Sequence, residues 1–229
     1  MIRTKGLGIL AVAGASCLLA LTATAQSSST TSSGATGSGS SAASGTSTTS
    51  SNTKPAPPPG TFNQRRNDQQ QRIGNGIQSG QLTAGETQHL ENREAGITKE
   101  AQQMRSQDDG HLTAADRAKL NRQQNATSRQ IYQDKHNANT AHYGNNEVGQ
   151  RRENQQDRIA QGVKSGQMTA GEAARAEHQE RNINHQVAAD RAANGGKLTP
   201  GEKQQINKEQ NKASKSIYNK KHNEATRKP

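Results

Sequence analysis

The sequence predicts an all-α fold built from two tandem three-helix units that follow a disordered N-terminal linker. Two observations predict it: an internal duplication that needs no gap, and sparse apolar residues at helical spacing. Residues 65–137 align on residues 151–223 with a shift of 86 residues, and about 30 of the 73 positions are identical. A gapless duplication of this length indicates two copies of one structural unit. We therefore predict helical repeat 1 at 61–144 and helical repeat 2 at 145–229.

Each repeat is predicted to contain three helices, at 63–79, 83–107 and 113–137 and again at 149–165, 169–193 and 199–223. The motif G-x-L/M-T-x-x-E/D marks four of the helix starts. Its threonine is an N-cap residue and its acidic residue completes a capping box, which satisfies the free backbone N–H groups of a helix start. We expect Asp116 to do so more weakly than the glutamates. The motif begins at Gly80, Gly110, Gly166 and Gly196 and supplies Thr83, Thr113, Thr169 and Thr199.

The apolar residues support these helices because many lie four or seven positions apart, as on one face of a helix. About ten such side chains per repeat give a thin core, at about 1.5–3 kcal/mol each. A lone repeat should therefore be marginal, and we expect packing between the repeats or self-association. The predicted core consists of Ile73, Ile77, Leu82, Leu90, Ile97, Met104, Leu112, Leu120, Ile131 and Tyr132 in repeat 1, and Ile159, Val163, Met168, Ala176, Ile183, Val187, Leu198, Ile206, Ile217 and Tyr218 in repeat 2.

An export signal is predicted at the N-terminus. Arg3 and Lys5 form a positive n-region, residues 6–21 form an apolar segment that is short for a membrane span, and Ala23-Thr24-Ala25 matches the pattern that signal peptidase cleaves. We therefore expect a signal peptide at 1–25, cleaved after Ala25, and a periplasmic or secreted protein with no membrane span after cleavage. A signal retained as a membrane anchor is the alternative.

Residues 26–60 are predicted to be a disordered linker. Nearly every residue from 26 to 52 is Ser, Thr, Gly or Ala, and a proline-rich run follows at 55–59. Such a low-complexity segment has no apolar side chains whose burial would offset the entropy of ordering the chain. Its many Ser and Thr residues leave O-glycosylation open.

The chain is polar and basic. Hydrophobic residues make up 27% of it, aromatic residues 2%, and the formal net charge is +11. A basic excess favours anionic partners such as acidic polysaccharide, lipid headgroups or nucleic acid, although it also keeps a protein soluble. Repeat 1 carries about +2 and repeat 2 about +6, so the second repeat is the better candidate for an anion-binding surface.

The sequence contains no pattern typical of an enzyme. A nucleophile elbow, a Walker loop and a G-x-G-x-x-G turn are absent, and the one cysteine, Cys17, lies in the predicted signal peptide. On so polar a chain we expect no carboxylate whose pKa is shifted into the range that acid–base catalysis needs. The seven histidines lack the i, i+4 spacing of helical zinc sites. We therefore predict no enzymatic activity, no cofactor, no metal site and no specific nucleic-acid partner.

The G-x-L-T-x-x-E motif resembles the second half of an EF-hand calcium loop. Calcium also requires oxygen ligands early in the loop. Those positions hold Asn75, Ile77 and Ser79 in the first loop, and they begin with Arg105 and Arg191 in the second and fourth. We therefore expect degenerate EF-hand-like helix–turn–helix pairs that lack calcium ligands. A metal-sensing degenerate EF-hand module is the second alternative for function.

The motif S-x-x-I-Y-x-x-K-H-N closes both repeats and is the candidate binding patch. Its tyrosine and histidine are four residues apart, on one helix face, with a lysine beside them. One interpretation is a patch for an anionic group, whose histidine makes binding sensitive to pH. The other is a closing turn, in which the tyrosine covers the core and the asparagine ends the helix. The residues are Tyr132, Lys135, His136 and Asn137 in repeat 1, and Tyr218, Lys221, His222 and Asn223 in repeat 2.

The combination of R-I-x-x-G-I/V-x-S-G-x-L/M-T, a second G-x-L-T and S-x-x-I-Y-x-x-K-H-N resembles an uncharacterised family of secreted bacterial all-helical repeat proteins. The resemblance covers residues 65–223. It implies export and an all-α fold, and it carries no activity.

These observations favour an exported, non-catalytic helical repeat protein that interacts with the envelope or an anionic surface. Its expected partners are an anionic envelope component or another polyanion, together with self-association. The alternative is a hydrophilin-like stress protectant without a specific site, because the chain is very polar and glycine-rich.

Overall fold

Six α-helices make up residues 61–227, the part of the chain that the computed structural model describes. Their bounds are Phe62–Gln78 (α1), Ala84–Gln107 (α2), Ala114–Lys135 (α3), Glu147–Ser165 (α4), Ala170–Ala193 (α5) and Pro200–Lys221 (α6), and these residues contain no strand. The all-α prediction is confirmed, and each predicted helix begins and ends within two residues of an observed one. The predicted signal peptide and linker lie outside the described residues.

The predicted capping boxes begin four of the helices. Thr83 Oγ1 accepts the backbone N–H of Glu86 at 3.3 Å, and Glu86 Oε2 accepts the N–H of Thr83 at 2.9 Å. Asp116 closes the same box with Thr113 at 3.1 and 3.0 Å, so the distances show no sign of the weaker capping that we expected from the shorter side chain. Thr169 and Thr199 repeat the arrangement.

The glycine of the G-x-L/M-T motif turns the chain between helices. Gly80, Gly110, Gly166 and Gly196 all have φ between 69° and 87°, a region in which a side chain is strained. The local sequence therefore stops one helix and caps the next within a few residues.

The two repeats pack against each other with approximate two-fold symmetry. On α2 and α5, a Cβ placed on Gly85 would lie 3.6 Å from Arg181 Cδ, and one placed on Gly171 would lie 4.0 Å from Ala95 Cβ. These two contacts are equivalent, because Gly171 and Arg181 are the repeat 2 counterparts of Gly85 and Ala95. Rising numbers on α2 meet falling numbers on α5, so the helices are antiparallel. Each repeat therefore uses the same surface to contact the other, as in an isologous dimer.

The first helices of the repeats meet in the same way. A Cβ on Gly74 would lie 3.2 Å from the carbonyl oxygen of Ala160, its own counterpart in repeat 2, and the Gln71 side chain donates to the Lys164 carbonyl at 2.8 Å. Helix α3 packs on α1 and α2, and α6 packs on α4 and α5. The four central helices thus join the repeats, and α3 and α6 lie at their flanks.

One hydrophobic cluster draws on both repeats and two smaller ones lie further out. Repeat 1 contributes Ile73, Ile77, Leu82, Leu90 and Ile131 to the shared cluster, and repeat 2 contributes Ile159, Ala160, Val163, Met168, Ala173, Ala176 and Ile217. The outer clusters are centred on Ile97, Ala101 and Leu120 and on Val148, Ile183, Val187, Ile206 and Ala213. The expected packing between repeats therefore takes the form of a common core.

The predicted core is right except at its edges. Met104, Leu112 and Leu198 are only partly buried and pack against the outer clusters. The prediction that the two tyrosines belong to the core is wrong, because Tyr132 is 60% exposed and Tyr218 is 56% exposed. Both lie on the helix face opposite the buried side, so neither covers the core.

We predict that Gly76→Ala lowers the free energy of unfolding by about 1–2 kcal/mol, because the new methyl group would lie 2.6 Å from Leu82 Cδ1 in the shared core. The matched control is Gly96→Ala in α2, where nothing lies within 4 Å of the new carbon. This change should stabilise the protein by about 0.5–1 kcal/mol through helix propensity. Urea unfolding, monitored by circular dichroism, measures the stability of both variants. Equal effects of the two changes would contradict the close packing of Gly76 against Leu82.

Candidate functional site

Each repeat displays a stripe of cationic, amide and aromatic side chains on its third helix. On α3 the residues lie at spacings of three and four along one face, all are exposed, and the opposite face is the buried one. The pattern recurs at the equivalent positions of α6. A stripe covers 15 residues, and its first and last residues lie about 21 Å apart along the helix. The α3 stripe is Arg122, Asn125, Arg129, Tyr132 and His136, and the α6 stripe is Lys208, Asn211, Lys215, Tyr218 and His222.

The tyrosine and histidine of each stripe form a fixed stack. The ring centres of Tyr132 and His136 are 4.1 Å apart with 25° between the planes, and Tyr218 and His222 give 4.1 Å and 22°. His136 Nδ1 donates to the Tyr132 carbonyl at 2.7 Å, and His222 does the same to Tyr218 at 2.8 Å. One side of each tyrosine ring is thus covered by imidazole, and the exposed remainder faces solvent.

The asparagine of each stripe is tied to the first helix of its repeat. Arg65 Nη2 donates to Asn125 Oδ1, and Arg151 Nη2 donates to Asn211 Oδ1. These bonds hold the amide group in place and bring one more guanidinium group beside each stripe.

The stripe cations are not neutralised by acidic neighbours. Arg122, Arg129, Lys208 and Lys215 form no ion pair with any carboxylate of the described residues. Nearby pairs instead involve Lys119 with Glu100 at 2.5 Å and Lys212 with Glu209 at 3.1 Å. The stripes therefore offer exposed positive charge next to an aromatic ring.

The predicted patch is divided by the structure. Its tyrosines and histidines belong to the stripes, whereas the asparagines bind a capping box: Asn137 Nδ2 donates to Glu86 Oε1 at 2.7 Å, and Asn223 Nδ2 to Glu172 Oε1 at 2.6 Å. Burial acts to raise the pKa of Glu86, but hydrogen bonds from Asn139, Thr83 and Asn137 outweigh it and lower that pKa. Each asparagine therefore joins the end of one helix to the start of another.

The lysines of the predicted patch lie along the first helix of each repeat. The Lys135 stem passes the backbone at Gly76, with Cδ 3.4 Å from a Cβ placed there. Lys221 runs past Gly162 in the same way, and its Nζ donates to Gln161 Oε1 at 2.6 Å. Both lysines are half-buried, so they are less available to a ligand than the stripe cations.

Four glutamates lie inside the molecule, a feature that sequence reasoning missed. Glu91 and Glu94 on α2 and their counterparts Glu177 and Glu180 on α5 are each at most 1% exposed. Gln70 donates to Glu91 at 2.9 Å, and Gln156 donates to Glu177 at 3.0 Å. The other six carboxylate oxygens are buried and accept no hydrogen bond.

Burial changes the acidity of these four side chains. It raises the pKa of Glu91 to about 8 and those of Glu94 and Glu180 to about 7. The pKa of Glu177 is also raised well above its ordinary value, by burial and by the charges of Glu180 and Glu91. The expectation that no carboxylate pKa would be shifted is therefore wrong.

Positive charges offset the burial only in part. Arg66 on α1 and Arg227 after α6 lower the pKa of Glu94, and Arg152 and Arg158 on α4 lower that of Glu180. Glu94 lies four residues after Leu90 and three before Ile97, on the apolar face of α2. In both repeats a glutamate thus occupies a position on the apolar face of a helix, and this pattern in the sequence indicates a buried acid.

The EF-hand-like turns show no cluster of metal ligands. Within residues 61–227, no group of three or more His, Cys, Asp or Glu side chains is placed to share a metal ion. Among the described helices, none is long and apolar enough to cross a membrane.

Comparison with known proteins adds no relative. No protein-family model, no curated protein and no solved structure matches the chain. The resemblance drawn from its motifs therefore stays a prediction.

We predict that Asn223→Ala costs about 1–2 kcal/mol of stability, because it removes a hydrogen bond to an ionised carboxylate. Asn137→Ala should cost less, since Asn139 Nδ2 still donates to Glu86 Oε1 at 3.0 Å, whereas the counterpart of Asn139 is Ala225. The control is Asn219→Ala on exposed α6 surface. Chemical unfolding ranks the three variants, and identical values for all of them would refute the capping role.

We also predict that the free energy of unfolding falls as the pH rises from about 4.5 to about 8. In the folded chain Glu94 and Glu180 keep their protons up to about pH 7 and Glu91 up to about pH 8, whereas in the unfolded chain they ionise near their ordinary pKa of 4.5. The folded state therefore binds more protons, which makes unfolding easier as protons become scarce.

The double variant E91Q/E177Q tests this pH dependence, because glutamine imitates a protonated glutamate and cannot ionise. Urea unfolding at pH 5, 6, 7 and 8 should show a shallower fall than in the parent chain. Glu153→Gln, at an exposed position on α4, should leave the slope unchanged. A double variant with the parental slope would count against buried, neutral carboxyl groups.

Proposed function

We propose that this chain is an exported, non-catalytic helical repeat protein that binds acidic polymers of the cell envelope through the α3 and α6 stripes. The observation that carries the proposal is the exposed, unpaired positive charge of these stripes in both repeats. Export is supported by the predicted signal peptide at 1–25.

The distribution of acidic residues favours an anionic partner. The four glutamates between α2 and α5 are buried, and burial favours their neutral form. Four further acidic residues, one in each predicted capping box, bind the N-cap threonine of their helix. The four buried glutamates are thus kept away from the surface, which leaves the outward face more basic than the composition alone implies.

The burial of the carboxyl groups with raised pKa values is consistent with a binding role. The glutamates whose pKa values are raised are at most 1% exposed, so they present almost no surface to a substrate. The stripe residues offer what a charged polymer needs, namely two cations about 10.5 Å apart on a helix face of about 21 Å. The second repeat, with about +6 against about +2, should contribute more to affinity.

The test is retention on a heparin column at ~50 mM salt, where surface charges are weakly screened. The variant R122Q/R129Q/K208Q/K215Q removes four stripe cations. The matched control K99Q/R175Q/K197Q/K203Q removes four exposed cations outside the stripes. We expect the stripe variant to elute at much lower salt than the control, and its slope of log affinity against log salt to fall by about 3.

Two outcomes contradict the proposal. If the parent chain is not retained at all, it does not bind acidic polymers. If the stripe variant and the control shift equally, only total charge matters and the stripes have no role. The pair K208Q/K215Q should also weaken retention more than R122Q/R129Q.

A further inference from the structure

Two of the few aromatic rings in this protein are displayed to solvent. The described residues contain one Phe, three Tyr and no Trp. Phe62 packs against an outer hydrophobic cluster, and Tyr143 is mostly buried over the Arg152 guanidinium. Tyr132 and Tyr218, in contrast, are the large hydrophobic side chains that the described surface exposes. A single exposed ring is ordinary on a protein surface, so the groups that surround each ring decide what it can bind.

Each of these rings is packed against a histidine of its own helix. The histidine stacks on one side of each tyrosine at 4.1 Å and is itself fixed by a hydrogen bond to the tyrosine carbonyl. A ring that already has such a contact loses less conformational entropy on binding than a free one. The side away from the imidazole is a flat apolar platform.

A cation accompanies each platform on the same helix face. Arg129 precedes Tyr132 by three residues, and Lys215 precedes Tyr218 by three, so each pair shares one side of its helix. A fitting ligand therefore has a flat apolar face with an anionic group a few ångströms away, and it carries a further anionic group along the stripe.

We infer that each stripe binds an acidic glycan, with the C–H face of a sugar ring packed on Tyr132 or Tyr218 and the glycan's carboxylate or sulfate groups on the stripe cations. This inference rests on the proposed function and names its ligand class. A pyranose has such a flat apolar face, and a stripe of about 21 Å accommodates about four sugar units.

The arrangement favours a glycan over single-stranded nucleic acid. Proteins that bind single strands stack successive bases on several aromatic side chains along a groove. Each stripe has one tyrosine, already covered on one side by histidine. A single ring among cations suits a polymer whose charges supply most contacts and whose rings stack once.

The experiment uses the chain from Gln26 onward and four probes: tetragalacturonate, heparin oligosaccharide, inorganic polyphosphate and a ten-nucleotide oligo-dT. Calorimetry gives affinities. Because the chain has no Trp, tyrosine emission reports directly on ring contact. The variants are Y132L/Y218L, which removes both rings, Y132F/Y218F, which keeps them, and the control Tyr143→Phe. Circular dichroism verifies that the exposed substitutions leave the helices intact.

We expect the leucine variant to lose about tenfold or more in affinity for at least one of the two glycans and to bind polyphosphate, which has no rings, as the parent does. The phenylalanine variant and the Tyr143 control should bind like the parent, and the glycan should change tyrosine emission. If the leucine variant binds both glycans normally, or if oligo-dT shows the larger tyrosine-dependent affinity, the glycan assignment is overturned while acidic-polymer binding stands. If neither glycan binds the parent chain, the glycan assignment and the proposed binding of acidic polymers both fail, because heparin is one of the two glycans.

Discussion

The contact between α2 and α5, repeated between α1 and α4, is the interaction on which the rest of the structure depends. Each repeat has few apolar side chains, and we expect a core made from one repeat alone to be marginal. The antiparallel, two-fold arrangement brings Leu90 of one repeat and Ala176 of the other into a common cluster. Two thin sets of apolar residues thereby become one core, and the duplicated sequence becomes the counterpart of a dimer whose subunits are joined covalently.

The same contact explains the polar interior. Where α2 faces α5, the buried surface includes glutamates as well as aliphatic residues, and Gln70 and Gln156 supply one donor to each side. Burial of a carboxylate in this environment favours its neutral form. The burial of these acids also affects the surface charge. Fewer carboxylates remain outside to balance the lysines and arginines of α3 and α6.

Local features of the fold could be predicted from the sequence, because they depend on neighbouring residues alone. Thr83 and Glu86 form a capping box at the start of α2. Gly80 adopts a positive φ in the turn that precedes this helix. The orientation of the repeats could not be predicted, since it depends on contacts between distant parts of the chain. Gly74 packs against α4 and Gly85 against α5. Glu94 was missed because an acid is ordinarily assigned to the surface.

The candidate site was found only in part for a related reason. Tyr132 and His136 were identified by their spacing, but Asn137 was grouped with them although it binds the capping glutamate of another helix. Arg122 and Arg129 do not belong to the repeated motif, because lysines replace them in repeat 2. These positions keep their positive charge but not the identity of the residue. The stripe is defined by the buried face of α3, because its residues lie on the opposite face.

The most direct test of the shared core is a disulfide between the repeats. A Cβ on Gly171 lies 4.0 Å from Ala95 Cβ, within the range of about 3.5–4.5 Å that a disulfide requires. In the chain from Gln26 onward, which has no native cysteine, the variant A95C/G171C should oxidise quantitatively to an intramolecular disulfide at low protein concentration. Free thiols, or disulfides only between molecules, would contradict the two-fold packing of the repeats.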